Sequence, residues 1–113
     1  MQPFFYMHLM YIRCMLLYNI TFIIESGSES GIIEQVRNLF EQSSIASSDN
    51  PARFLKMQDS PHEGSTYSLQ VKAQNEEGVI QFQQKHLSGL KSSLQEHFPG
   101  KVLYFESIME YII

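Results

Sequence analysis

Asn19, Thr21, Ser68 and Gln70 are the side chains of this sequence best placed to bind something. Each is an uncharged hydrogen-bonding group in a segment where apolar and polar residues alternate. Those in one segment therefore point to the same side of an extended chain. If the two segments are neighbours, the four side chains meet. Such a cluster can hold a small molecule or ordered water, or its members can bond one another across an interface. The internal use is the commoner one, because no reactive group accompanies these residues. His86 is the other candidate. It falls on the apolar stripe of a long helical segment, where an imidazole could ligate a metal or haem or serve as a general base. The plainer reading is a core histidine satisfied by its neighbours. His97 follows on nearly the same helical face, but at the helical rise the two lie roughly 16 Å apart and cannot share an ion.

The remaining chemical signals are weaker. His62-Glu63 opens like a zinc-protease motif, but the second histidine is missing. Cys14 is the one cysteine, so it forms no internal disulfide and supplies no cysteine-rich zinc site; a reducing cytoplasm is the expected setting. No P-loop, dinucleotide fingerprint, nucleophile elbow or calcium loop is present. The sequence thus names no catalytic residue, and no metal or cofactor is expected. Asn19-Ile20-Thr21 matches the glycosylation sequon by chance, inside an apolar strand.

Composition narrows the classes. A chain of 113 residues with 43% hydrophobic and 18% charged residues can bury one core and has no room for two. Its formal charge is −4 and its eight basic residues are scattered, which argues against a nucleic-acid partner. Residues 1–14 are apolar but lack the basic start and cleavage site of a signal peptide. Together with Met15 to Ile24 they approach a membrane-spanning length, yet polar residues recur at period two there, which suits a strand. We read residues 1–14 as an extension outside the domain, with residues 15–113 as the domain and Met15 its first residue. A membrane anchor is the alternative reading.

Periodicity supplies the elements that must position the candidates. Leu16 to Glu25 alternates as a strand. Ser26 and Glu29 have capping-box spacing, although Ser28 or Ser30 could also cap, and Ile32, Ile33, Val36, Leu39 and Phe40 mark a helix from Glu29 to Gln42. Ser43 to Pro51 reads as a loop. Arg53 to Gln58 and Ser65 to Ala73 read as a hairpin about a Pro- and Gly-containing turn. Asn75 caps a second helix, Glu76 to His97, whose apolar side carries Val79, Phe82, His86, Leu87, Leu90, Leu94 and Phe98. Pro99-Gly100 ends it, and Lys101 to about Ile112 forms a fourth strand. This order predicts an α+β, ferredoxin-like βαββαβ fold, a four-stranded antiparallel sheet with both helices on one face.

The opposite face is then informative. It carries Leu17, Asn19, Thr21, Ile23, Leu55, Met57, Thr66, Ser68 and Gln70, and strand four adds either Leu103, Phe105 and Met109 or Tyr104 and Ile108. A strand apolar on both sides needs cover on both. The simplest cover is a second copy, giving a homodimer of the dimeric α/β-barrel type. A monomer with that face covered by residues 1–14, or merely mixed, is the competing reading.

From Met15 onward the chain resembles a family of small bacterial domains of unknown function common in Bacteroidetes. The resemblance rests on Tyr18-Asn19-Ile20-Thr21, on Gly64-Ser65-Thr66-Tyr67-Ser68-Leu69-Gln70, and on Phe98-Pro99-Gly100-Lys101-Val102 with Phe105. It implies a ferredoxin-like fold related to dimeric α/β barrels and brings no established activity. More distantly the plan is similar to antibiotic-biosynthesis and haem-degrading monooxygenases. That second resemblance implies that Asn19 and His86 stand where the haem-degrading group has an asparagine and a haem-ligating histidine. The same group relies on a tryptophan, and this chain has none. The function expected is a small dimeric domain binding a small ligand or protein partner, the alternative being a monooxygenase of one of these two kinds.

Overall fold

The computed structural model describes residues 15–43, 52–60 and 63–113. The N-terminal extension with Cys14, the middle of the loop after the first helix, and His62 lie outside the described residues.

β1 (Leu16–Ile24) shows why alternation specifies a strand. Tyr18, Ile20, Phe22 and Ile24 are all essentially inaccessible, while the residues between them remain partly exposed. Ser28, whose N–H bonds the Glu25 carbonyl at 3.1 Å, leads into α1 (Glu29–Ser43). The Ser28 carbonyl accepts the Ile32 N–H, so Ser28 sits at the cap position. The capping box expected between Ser26 and Glu29 does not form: the Glu29 carboxylate turns to the sheet, where Ser65 donates to it at 3.0 Å. α1 buries Ile32 and Val36, with Ile33, Leu39 and Phe40 packed beside them.

β2 (Ala52–Lys56) is short, although the Met57 N–H still reaches the Thr66 carbonyl at 2.8 Å. Gly64 precedes β3 (Ser65–Ala73) with φ of 88°, and a Cβ there would collide with the Ile24 carbonyl oxygen. Asn75 then caps α2 (Glu76–Phe82), its side-chain oxygen accepting the Gly78 N–H at 2.9 Å. The predicted single helix is interrupted by a π turn, Gln83–Leu87, before α3 (Ser88–His97) completes it. Phe98 folds back onto α1 at Gly31, where a Cβ would stand 2.5 Å from the ring. β4 (Val102–Glu110) closes the chain.

The strands lie in the order β2-β3-β1-β4, with every neighbouring pair antiparallel. This is the predicted ferredoxin-like sheet. Both helical segments pack on the face of Tyr18, Ile20, Phe22, Tyr67, Leu69 and Val71. Phe22 is the centre of that face, edge-on to Phe54 at 5.6 Å and to Tyr104 at 5.2 Å.

Candidate functional site

Register fixes what the uncovered face contains. Across the sheet, Leu55, Ser68, Thr21 and Phe105 stand in one row, and Arg53, Gln70, Asn19 and Ser107 in the next. The open alternative for strand four is thereby resolved: Leu103, Phe105 and Met109 share this face, whereas Tyr104 and Ile108 lie on the helix side. Leu103 is 62% exposed, Phe105 58% and Leu55 45%, with Met57 and Met109 similarly bare. Thr66 departs from expectation. It is 3% exposed because the turn after β2 folds over it, and its hydroxyl meets that of Ser60 at 2.6 Å.

Three of the five predicted binding residues come together here. Asn19 donates through Nδ2 to the Thr21 hydroxyl at 3.1 Å, and the Ser68 hydroxyl donates to Asn19 Oδ1. The amide is held from both ends and so has one orientation. Gln70 is the cross-strand neighbour of Asn19, and its side chain makes no hydrogen bond among the described residues.

His86 is elsewhere. Its ring rests on Phe82 at 5.4 Å, and Phe82 packs on Tyr18, so His86 belongs to the helix layer with the sheet between it and Asn19. The π turn explains its position. A regular helix would follow Phe82 with residue 86 in the core, but the five-residue step brings Leu87 there instead and leaves His86 half-buried at the flank. Burial, with some help from Lys85, lowers its pKa below the usual histidine value. His97 is exposed, its Nδ1 2.9 Å from the Ser93 carbonyl. Asn19 and His86 therefore cannot line one cavity. With no tryptophan either, the residues present do not fit a haem.

Two charged clusters on the helix side escaped the sequence reading. The Tyr18 hydroxyl donates to Glu106, accepts from Gln83 Nε2 at 3.0 Å, and Lys91 closes on the second carboxylate oxygen. Similarly, Tyr67 donates to Glu29, which also pairs with Lys56 at 3.1 Å. Burial first, and then the carboxylate partner, pushes both phenols up to about 12. Burial opposes ionisation of Glu106, but the bonds from Lys91 and Tyr18 prevail and hold its pKa below the usual carboxylate range. For Glu29 the Tyr67 hydrogen bond leads in the same direction, followed by that of Lys56. One signal did exist in the sequence: Glu106 interrupts the run Val102, Tyr104, Ile108 at alternate positions. A cleft of about 410 Å³ opens between α1 and β2, walled by Ile33, Phe40 and the stacked pair Phe54 and Tyr67. Among the described residues there is no group of three or more metal-ligating side chains, and no helix is long and apolar enough to cross a membrane.

Comparison with known proteins agrees with this architecture. The profile of one family, described as a domain of unknown function (DUF4286), matches residues 15–112. No curated protein matches. A conserved protein of unknown function from Bacteroides thetaiotaomicron, suggested to be an oxidoreductase, superimposes with a TM-score of 0.66 at 13% identity. The alignment covers 88% of this chain and 99% of that one. A protein from Nitrosomonas europaea assigned as an antibiotic biosynthesis monooxygenase gives 0.65 at 13% identity, over 87% and 90% of the two chains. The de novo designed protein Foldit4 gives 0.54 at 3% identity, over 85% and 96%. At such identities the likeness is one of fold, and a designed protein sharing it underlines that the fold carries no activity by itself.

Proposed function

The chain belongs to the DUF4286 family of domains of unknown function, and we propose that it works as a homodimeric small-ligand-binding module. Two sheets pack open face to open face, and the seam encloses Asn19, Thr21, Ser68 and Gln70. The working unit is residues 15–113, with residues 1–14 an appendage. The observation that carries this reading is the open face itself: Leu55, Met57, Leu103, Phe105 and Met109 are bare around a polar trio whose members already bond one another. Apolar side chains in that number on one flat surface favour association. Three strands of nine residues and one of five, about 4.8 Å apart, give a footprint of roughly 15 by 30 Å. Two copies then bury on the order of 1,000 Å², where specific interfaces begin.

Oxygenase chemistry of the kind assigned to the Nitrosomonas europaea protein draws support from the fold alone. The face offers amides and hydroxyls for it, and no acid–base pair. Added hemin should give no Soret shift that depends on His86. The dimer is tested by sedimentation. The chain should run at about twice its 13.1 kDa mass, and Phe105→Glu should halve that mass while leaving the far-ultraviolet circular dichroism unchanged. A wild-type chain that sediments singly at high micromolar concentration removes the proposal.

A further inference from the structure

The uncovered face is apolar and polar in parts, but its charge is of one sign. Arg53 and Lys72 lie on it, and no aspartate or glutamate does among the described residues of the four strands. Composition alone does not lead to that outcome, since the chain has 12 acidic residues against 8 basic ones. The acids of β4, Glu106 and Glu110, fall at the alternate positions that face the helices. Lys72 has a partner of a kind, standing over the Tyr111 ring at 5.3 Å. Arg53 has no ion pair or side-chain hydrogen bond among the described residues.

Hydrogen-bond accounting points the same way. Asn19 Oδ1 is taken by the Ser68 hydroxyl, and one Nδ2 hydrogen by the Thr21 oxygen. The trio keeps two donors, the second Asn19 N–H and the Thr21 hydroxyl hydrogen, beside spare lone pairs on its three oxygens, so the preference for an anion comes from the cations and not from the trio alone. The same row adds the Gln70 amide, the Ser107 hydroxyl and the Arg53 guanidinium, each one strand from the next. Closing two such faces together doubles the cations and adds no carboxylate. A guanidinium removed from water without an anion is unfavourable.

We propose that the seam binds a monocarboxylate with an apolar body. The carboxylate lies between Arg53 and the amides of Gln70 and Asn19, and the body lies along Leu55, Thr21 and Phe105. The Arg53 fork suits a carboxylate in two-pronged geometry, and the amides supply the remaining donors. One ligand per chain follows from twofold symmetry. This inference rests on the dimeric reading given above, since it is the partner sheet that removes the row from water.

The test uses the full chain, with 1-naphthoate, 1-naphthalenemethanol and acetate as probes in isothermal titration, and sedimentation run in parallel. Naphthoate should bind with one site per chain, and both the neutral alcohol and acetate should bind at least 10-fold more weakly. Arg53→Gln should weaken naphthoate at least 10-fold, Arg53→Lys should restore part of that loss, and Arg37→Gln on the outer side of α1 should change nothing. A dimer that ignores naphthoate, or binds it equally well after Arg53→Gln, or prefers the alcohol, overturns the carboxylate site and leaves the dimer standing. A single subunit that binds naphthoate through Arg53 removes the dimer and keeps the anion preference. A single subunit that binds nothing removes both.

Discussion

Glu106 and Ser107 are consecutive residues of β4, and they face opposite ways into two different chemistries. On the helix side Glu106 is held by a buried phenol and a lysine, and Glu29 repeats the arrangement with Tyr67 and Lys56. Each carboxylate has a cation and a hydroxyl, so the charge that intrudes on an apolar layer is answered within the chain. On the other side Ser107 belongs to a row of uncharged groups and one arginine whose outward capacity is donor-rich. The helices cover the Glu106 face up to its β4 edge, where Ile108 stays 52% exposed, and the phenols and carboxylates there are spent on one another. The other face keeps part of its capacity in hand. A domain of one sheet and one helix layer can thus separate the work of folding from the work of recognition by strand alternation alone.

Truncating the same residue type on each side tests that separation most sharply. Phe22→Ala empties the centre of the sealed layer and should cost about 3–5 kcal/mol in urea denaturation, most of the stability of a domain this size. Phe105→Ala, one strand away on the open face, should cost the isolated subunit less than about 1 kcal/mol, its main effect falling on association. Equal losses for the two would erase the distinction between the faces. Next in size, Asn19→Ala strands the Ser68 and Thr21 hydroxyls and should lower stability by about 1–2 kcal/mol; no loss would mean that the trio is dispensable to the subunit.

Ionisation gives smaller effects of opposite sign. Tyr18 and Tyr67 have pKa values raised from 10.0 to about 12 in the fold. Their stabilisation is complete below pH 10 and fades as pH climbs through 12. Burial raises Tyr104 as well, so absorbance titration near 295 nm should show three late-ionising tyrosines, with one fewer after Tyr18→Phe. The lowered pKa of His86 works at the other end. The folded state favours the neutral ring, so its stabilisation is full above about 6.5, the ordinary histidine value, and is lost as pH falls through the lower folded value. A small drop in melting temperature from pH 7 to pH 5 should therefore shrink in His86→Gln.

Much of this was legible in the sequence where period and burial agree. β1 and β3 alternate without a break, so their extents and faces followed from spacing, whereas their pairing came from the structure. Asn19, Thr21, Ser68 and Gln70 were expected to meet if the first and third strands were neighbours; they are, and three of the four are joined by hydrogen bonds. Legibility failed where the regular period failed. Periodicity put both His86 and Leu87 on the apolar side; the extra residue in the π turn keeps Leu87 in the core and moves His86 off the stripe. Glu29 was misplaced for a different reason. Capping-box spacing is local, whereas its actual partners, Ser65 and Tyr67, lie 36 and 38 residues away on β3. Strand four could not be oriented from its own residues, since both of its sides are apolar; pairing with β1 was needed to decide it.

β4 also has an outer edge. It is the last strand in the sheet, nine residues long, and contains neither proline nor lysine. No further strand pairs with its outer side among the described residues, so that side is a template on which another extended chain can add, opposed only by the helix-side charges Glu106 and Glu110. When the domain is heated or crowded, sheet extension along Val102–Glu110 is the route by which it should cloud. A single lysine at Phe105 would blunt that route and break the face at once.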